Sequence, residues 1–219
     1  MMYFLGTSHA ANTLREAARR RGLRLTDEIS NASLIFVSED TPTDNEGKRD
    51  LEPIIDLIEH AKEYRVPVVV TSQVPPGFMA TYARGCYHQA ETLRIEDAIQ
   101  RGMHPEMFIV GCETENESLR IPYRKYLESF DCPIFIGTYE DAEFTKIAIN
   151  MTLISQIENT NRLSMVAAKV GADWGIVSRA LRHDSRIGKF SYLTPGDWSK
   201  SKHLLRDYMT VTEIEKWMD

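Results

Sequence analysis

No stretch of this chain stays apolar for the roughly eighteen residues a membrane span requires. Its first residues, Met1 to His9, place no basic side chain ahead of their apolar stretch, so a secretory leader is not expected. Cysteine is scarce. Cys86, Cys112 and Cys132 are three in 219 residues, an odd number at scattered spacings. That excludes a disulfide framework and implies a reducing, cytoplasmic setting. Cys86-Tyr87-His88 carries two metal-ligating side chains, but no second pair follows at ligand spacing, so no metal is expected. An excess of basic charge is also missing: the net charge is -6, which argues against a nucleic acid or an anionic membrane as partner. Internal repeats and low-complexity tracts are absent.

What remains is an ordinary globular composition, 42% apolar, enough for a real core. Tyr3-Phe4-Leu5 is a short strand ending at Gly6, followed by a helix over Asn12–Arg21. Ser33–Ser38 reads as a buried strand. Leu51, Ile54, Ile55 and Ile58 stripe one face of a helix over Asp50–Tyr64, with Asp50 as N-cap and Pro53 in the first turn. Val66–Thr71 is β-branched and is stopped by Val74-Pro75-Pro76-Gly77. Strands at 108–110 and 134–136 flank a helix over 119–130. This alternation predicts βαβ units and a parallel sheet.

From Glu140 the pattern changes. Apolar residues from Phe144 to Val170 hold helical spacing for about thirty residues, up to Gly171. A helix of about 45 Å is too long for a crossover in a small sheet. We therefore expect an α/β chain of two parts: a reduced Rossmann-like parallel sheet over residues 1–138, and a helical dimerisation domain with a long central helix over 139–219. Asp173 caps a second helix through Leu181, and Lys202–Met218 is amphipathic.

Gly6-Thr7-Ser8-His9-Ala10-Ala11 lies between a strand and a helix, where a dinucleotide fingerprint belongs. Of its three glycines only Gly6 remains. Ala11 is an accepted substitute for the third, and Ser8 places a side chain where a phosphate would approach. Only Leu23–Ile29 separates the first helix from the next strand. Asp27 stands there as an acid for a ribose, without the helix and strand that normally follow. The alternative is a shrunken sheet that keeps the turn for structure alone. Lys146 and Asn150, four apart, share one face of the long helix, where a cation and an amide suit a hydroxyl-rich or anionic ligand.

Several segments, in order, resemble the UDP-glucose/GDP-mannose (nucleotide-sugar) dehydrogenase family. They are Thr41–Leu51, Ser72-Gln73-Val74-Pro75-Pro76-Gly77, Ala90-Glu91-Thr92-Leu93-Arg94, His104-Pro105-Glu106, Ile109-Val110-Gly111, Ala142–Asn150, Val170–Asp173 and Asp184-Ser185-Arg186-Ile187-Gly188. The resemblance implies NAD at Gly6, Thr7, Ser8, Thr41 and Gln73. It implies Lys146 and Asn150 as the pair that stabilises the sugar C6 oxygen, Glu91 as an acid/base acting through water, and Arg186 as a residue reaching a sugar nucleotide from a neighbouring subunit. The plainer alternatives are a solvated stripe for Lys146 and Asn150 and a surface pair with Asp184 for Arg186.

The pattern breaks near the carboxyl end. Counting from Gly196 puts His203 where the family carries its catalytic cysteine, Arg206 at its lysine and Asp207 at its aspartate. An imidazole forms no comparable thioester, so the second oxidation is expected to be absent. His203 and Asp207, four apart on a helix, are either a base with its orienter or part of an exposed face. No residues here match the family's third, nucleotide-binding domain, so a partner subunit or protein would hold the base. Two functions follow. One is an NAD(P)-dependent oxidoreductase that makes a single hydride transfer on a sugar alcohol or aldehyde. The other is a non-catalytic homodimer that binds a sugar nucleotide or a protein.

Overall fold

The computed structural model describes residues 1–44, 49–115 and 117–216; the Asn45–Lys48 part of the Thr41–Leu51 loop and the last residues of the tail lie outside it. Elements follow in the order β1 (Met2–Leu5), α1 (His9–Arg20), β2 (Leu34–Val37), α2 (Glu52–Lys62), β3 (Val68–Val70), α3 (Phe78–Tyr82), β4 (Tyr87–Gln89), α4 (Ala98–Met103), β5 (Phe108–Cys112), α5 (Ile121–Glu128), β6 (Ile134–Thr138), α6 (Tyr139–Lys169), α7 (Trp174–His183) and α8 (Lys202–Glu215). They divide into two compact units, Met1–Lys146 and Ile147–Asp219, so the division falls inside α6 rather than at its start.

The first unit is a six-stranded sheet in the order β1-β2-β3-β4-β5-β6. Every pairing is parallel except β4 with β5, where His88 and Gln89 face Gly111 and Val110. The all-parallel expectation is corrected there. Strand β4 escaped the sequence reading because Tyr87-His88-Gln89 is too short to show a period. Strand β2 shows how the core is built: Leu34 and Phe36 point into a cluster with Phe108, Tyr123 and Tyr126, while Ile35 and Val37 point into one with Ile54, Ile58 and Phe78. Alternate residues of a buried parallel strand serve opposite faces. Leu51, not Asp50, is the N-cap of α2, although Asp50 still accepts from the Glu52 N–H at 3.1 Å.

Strand order decides where a ligand fits. A doubly wound sheet binds its ligand at the point where strand order reverses. Here the six named strands run in chain order and, among the described residues, no full strand lies beyond β1. Only a stub remains: Leu25 bridges Met2, whose N–H donates to Arg24 O at 2.8 Å and whose carbonyl accepts from Thr26 N at 3.0 Å. Arg15 Nη2 donates to Phe4 O at 2.7 Å and so covers part of the open edge.

In the second unit, α6 ends where sequence reading placed it. Gly171 takes φ +74°, and Ala172 N donates back to Ala167 O at 2.9 Å. This is the six-to-one bond of a glycine-stopped helix. Asp173 caps α7 by accepting from Gly175 N at 2.7 Å. Loops are tied to α6 by Asn161, which donates to Gly196 O and accepts from Gly196 N, and by Thr160, which donates to Tyr192 O at 2.8 Å.

Candidate functional site

At the carboxyl ends of β1, β2 and β3 a row of buried hydroxyls stands side by side: Ser8, Ser38, Thr41, Thr71 and Ser72. Gly6 makes the turn with φ +116°, and a Cβ built on it would sit 1.9 Å from Ser38 O. Only glycine fits. Ser8 is the N-cap of α1; its Oγ accepts from Ala11 N at 3.0 Å and donates to Ser38 O at 3.0 Å. Thr7 donates through both its N–H, at 2.8 Å, and its hydroxyl, at 3.1 Å, to the Glu39 carboxylate. Glu39 N–H in turn donates to Ser72 Oγ at 2.7 Å, and Ser72 Oγ donates to Glu39 O at 2.8 Å. Thr41 Oγ1 donates to Gln73 O at 3.1 Å. The five residues proposed for NAD thus gather at one edge, but their contacts run to each other and to Glu39, which the sequence reading did not single out.

The fit of a dinucleotide can be tested on this geometry. The glycine turn has the right shape. The Thr7 N–H in that turn is held by a carboxylate, and among the described residues no full strand lies beyond β1 to frame an adenosine half. The residues present do not fit the group, and no step is derived through it.

Glu143 was also passed over. It is 1% exposed, and its carboxylate accepts from Gly77 N at 2.7 Å and Met79 N at 2.8 Å. It therefore clamps the start of α3, just after the proline turn, to the first turns of α6. The signal was present: Tyr139, Glu143 and Ile147 fall four apart on one buried stripe. Burial raises the Glu143 carboxyl above its usual range, and its two N–H partners only partly offset this. The folded protein then holds this proton more tightly than the unfolded chain. The contribution is full below the unfolded value of about 4.3 and is lost as pH rises through the higher folded value. Wild type minus Glu143→Gln, followed by denaturant midpoints from pH 4 to 7, should show stability falling with pH. A flat or rising difference would contradict the assignment.

Glu91 follows β4, half-buried beside Thr71, Gln89 and Arg101 in a cavity of about 30 Å³, and its carboxylate accepts from Leu93 N. That is room for about one water. Burial pushes the Cys86 thiol up to about 11 and Cys112 up to about 12. Near neutral pH neither supplies the thiolate that position 203 lacks. His88 is buried and its imidazole is pushed down to about 4, so it stays neutral. No group of three or more metal-ligating side chains occurs among the described residues.

In the helical unit the polar centre is Asn150 with Asp207. Asn150 Nδ2 donates to Asp207 Oδ2 at 2.7 Å; Asp207 is wholly buried, and Arg206 Nε lies 3.6 Å from its other oxygen. The solvated-stripe alternative is thereby excluded for Asn150. Lys146, one turn earlier on α6, is partly buried. His203 is exposed, with Nδ1 3.4 Å from Arg206 Nη2. Arg186 is exposed and pairs with Asp184 at 2.7 Å, the plainer of its two readings; this holds the Asp184 carboxyl below its ordinary range.

Residues 140–204 match the central domain of the UDP-glucose/GDP-mannose dehydrogenase family. An uncharacterised protein of Methanocaldococcus jannaschii is 31% identical over 177 residues, which cover 73% of this chain and 20% of that protein. The UDP-glucose 6-dehydrogenase of Rickettsia felis is 25% identical over 219 residues, covering 92% of this chain and 48% of its own. Among solved structures, the UDP-glucose dehydrogenase of Pyrobaculum islandicum matches with a TM-score of 0.64 at 20% identity, over 97% of this chain and 58% of that one. This last likeness speaks to the fold. The chain thus spans between 20% and 48% of the length of these two curated relatives. A Rossmann-like, mostly parallel sheet followed by a long helix is the α/β fold that this chain shares with that solved UDP-glucose dehydrogenase. Residues 140–204 carry the likeness to the UDP-glucose/GDP-mannose dehydrogenase central domain, and over the aligned residues the chain is similar to the two curated relatives at 25–31% identity.

Proposed function

We propose that this chain holds a nucleotide sugar, or a sugar-like molecule of the same chemistry, at the polar centre of α6 and does not carry out the family's two-step oxidation. The buried Asn150–Asp207 bond carries the reading. It locks the carboxamide in one orientation, and Lys146 adds a positive charge one turn away. Such a pair suits an oxygen that carries or develops negative charge. Arg186, reaching from a neighbouring subunit as the resemblance implies, would offer a fork for hydroxyls or phosphates. Leu163 and Val166 on α6, with Val170 just past its end, leave an exposed apolar row, which supports a homodimer. The three free thiols support a reducing, cytoplasmic setting.

The second reading is an NAD(P)-dependent oxidoreductase on a sugar alcohol or aldehyde. The retention of Lys146, Asn150 and Asp207 in family order favours it. With His203 in the cysteine's place, that enzyme would form one reduced cofactor per sugar, not two.

The test is thermal shift with UDP-glucose and GDP-mannose. A ligand at a hundred times its dissociation constant adds about 2.7 kcal/mol. Wild type should shift with one of these sugars, and Lys146→Ala should lose most of the shift. No shift with either sugar at millimolar concentration would remove the reading.

A further inference from the structure

The contacts around Gly6 point beyond sugar binding. We propose that the amino-terminal unit is closed to dinucleotides by its own side chains, with the Glu39 carboxylate seated where a pyrophosphate oxygen would bind, so that this unit is a scaffold and not a cofactor domain.

Three independent observations carry this. The first is occupancy. A helix N-terminus after a glycine turn offers backbone N–H groups to an anion. Here Glu39 Oε2 takes the Thr7 N–H at 2.8 Å and the Thr7 hydroxyl at 3.1 Å. A phosphate oxygen approaching Thr7 would meet a like charge there. The second is stitching. Ser8 to Ser38 and the reciprocal Glu39–Ser72 pair tie the ends of β1, β2 and β3 across the crevice a dinucleotide would enter. Glu39 is held through its backbone as well as its carboxylate, so its place is built, not incidental. The third is topology. Among the described residues only the one-residue Leu25 bridge lies beyond β1, so no full strand frames the far side of the crevice. The conformation of Gly6 does not argue for a cofactor either, because the contact with Ser38 O alone requires glycine.

The experiment follows individual backbone amides by NMR in the full chain. In wild type, NADH at 1 mM should leave the Thr7 and Ser8 amides unmoved. In Glu39→Ala, hydrogen exchange at the Thr7 amide should accelerate at least tenfold, while Glu39→Gln, which keeps one acceptor oxygen, should fall between. Both readouts are independent of sugar binding, so this proposal and that one fail separately. The closure is overturned if NADH shifts Thr7 and Ser8 in wild type with a dissociation constant below about 100 μM. It is also overturned if Glu39→Ala leaves Thr7 exchange unchanged in a folded protein.

Discussion

Gly6→Ala should destabilise the amino-terminal unit by about 4 kcal/mol. Two costs add. A non-glycine residue at φ +116° stores on the order of 1–3 kcal/mol. Overpacking against Ser38 O, where the added Cβ would sit 1.9 Å away, costs roughly another 1–3 kcal/mol. The neighbour has no room to give. Ser38 O is the backbone acceptor of Ser8 Oγ, and Ser38 N is tied to Leu5 O at 3.0 Å. A loss of this size lowers the melting temperature of a unit this large by about 10 °C. Calorimetry would show it. A variant melting within two degrees of wild type would mean that the turn tolerates a side chain and that Gly6 has some other purpose.

Asn150→Ala should cost about 3 kcal/mol, because it leaves the Asp207 carboxylate buried without its 2.7 Å donor. Arg206, 3.6 Å from the other oxygen, keeps the loss at the lower end of the range for a broken buried pair. Asp207→Asn, which keeps an acceptor and removes the charge, should cost less. The double variant Asn150→Leu with Asp207→Leu should recover most of the stability, since removing both polar partners removes the desolvation penalty with them. Chemical denaturation of the four proteins measures this. A single variant within 0.5 kcal/mol of wild type would place the bond at the surface in solution. Full stability with lost sugar binding in the double variant would separate the centre's role in ligand binding from its role in folding.

How far the sequence could be read follows from these same residues. Long-period signals were legible. The α6 stripe, its Gly171 stop, the Asp173 cap and the buried β2 strand are each set by local periodicity or a single capping residue. Spacing and resemblance singled out Lys146, Asn150 and Asp207 as candidates, but not the bond between Asn150 and Asp207, which joins residues far apart in the chain. Tyr87–Gln89 and α3 were too short to show a period. Glu39 was invisible because its importance lies in where its side chain turns, across to Thr7, and no pattern along the chain encodes that. The absent helix and strand could be read from the short Leu23–Ile29 link. The single Leu25 bridge that stands in their place needed the pairing of every strand. Asn150 donates to one Asp207 oxygen, a contact that the reading of His203 as a base with Asp207 as its orienter did not include.

The account's central claim is that sugar handling survives on α6 while dinucleotide binding at Gly6 has gone. A backbone-resolved NMR titration of the full chain, with UDP-glucose or GDP-mannose added first and NADH second, tests both halves in one sample. The sugar nucleotide should move amides around Asn150 and Asp207, and NADH should then leave Thr7 and Ser8 where they were. Saturable NADH shifts at Thr7 and Ser8, with none from either sugar at Asn150, would contradict it.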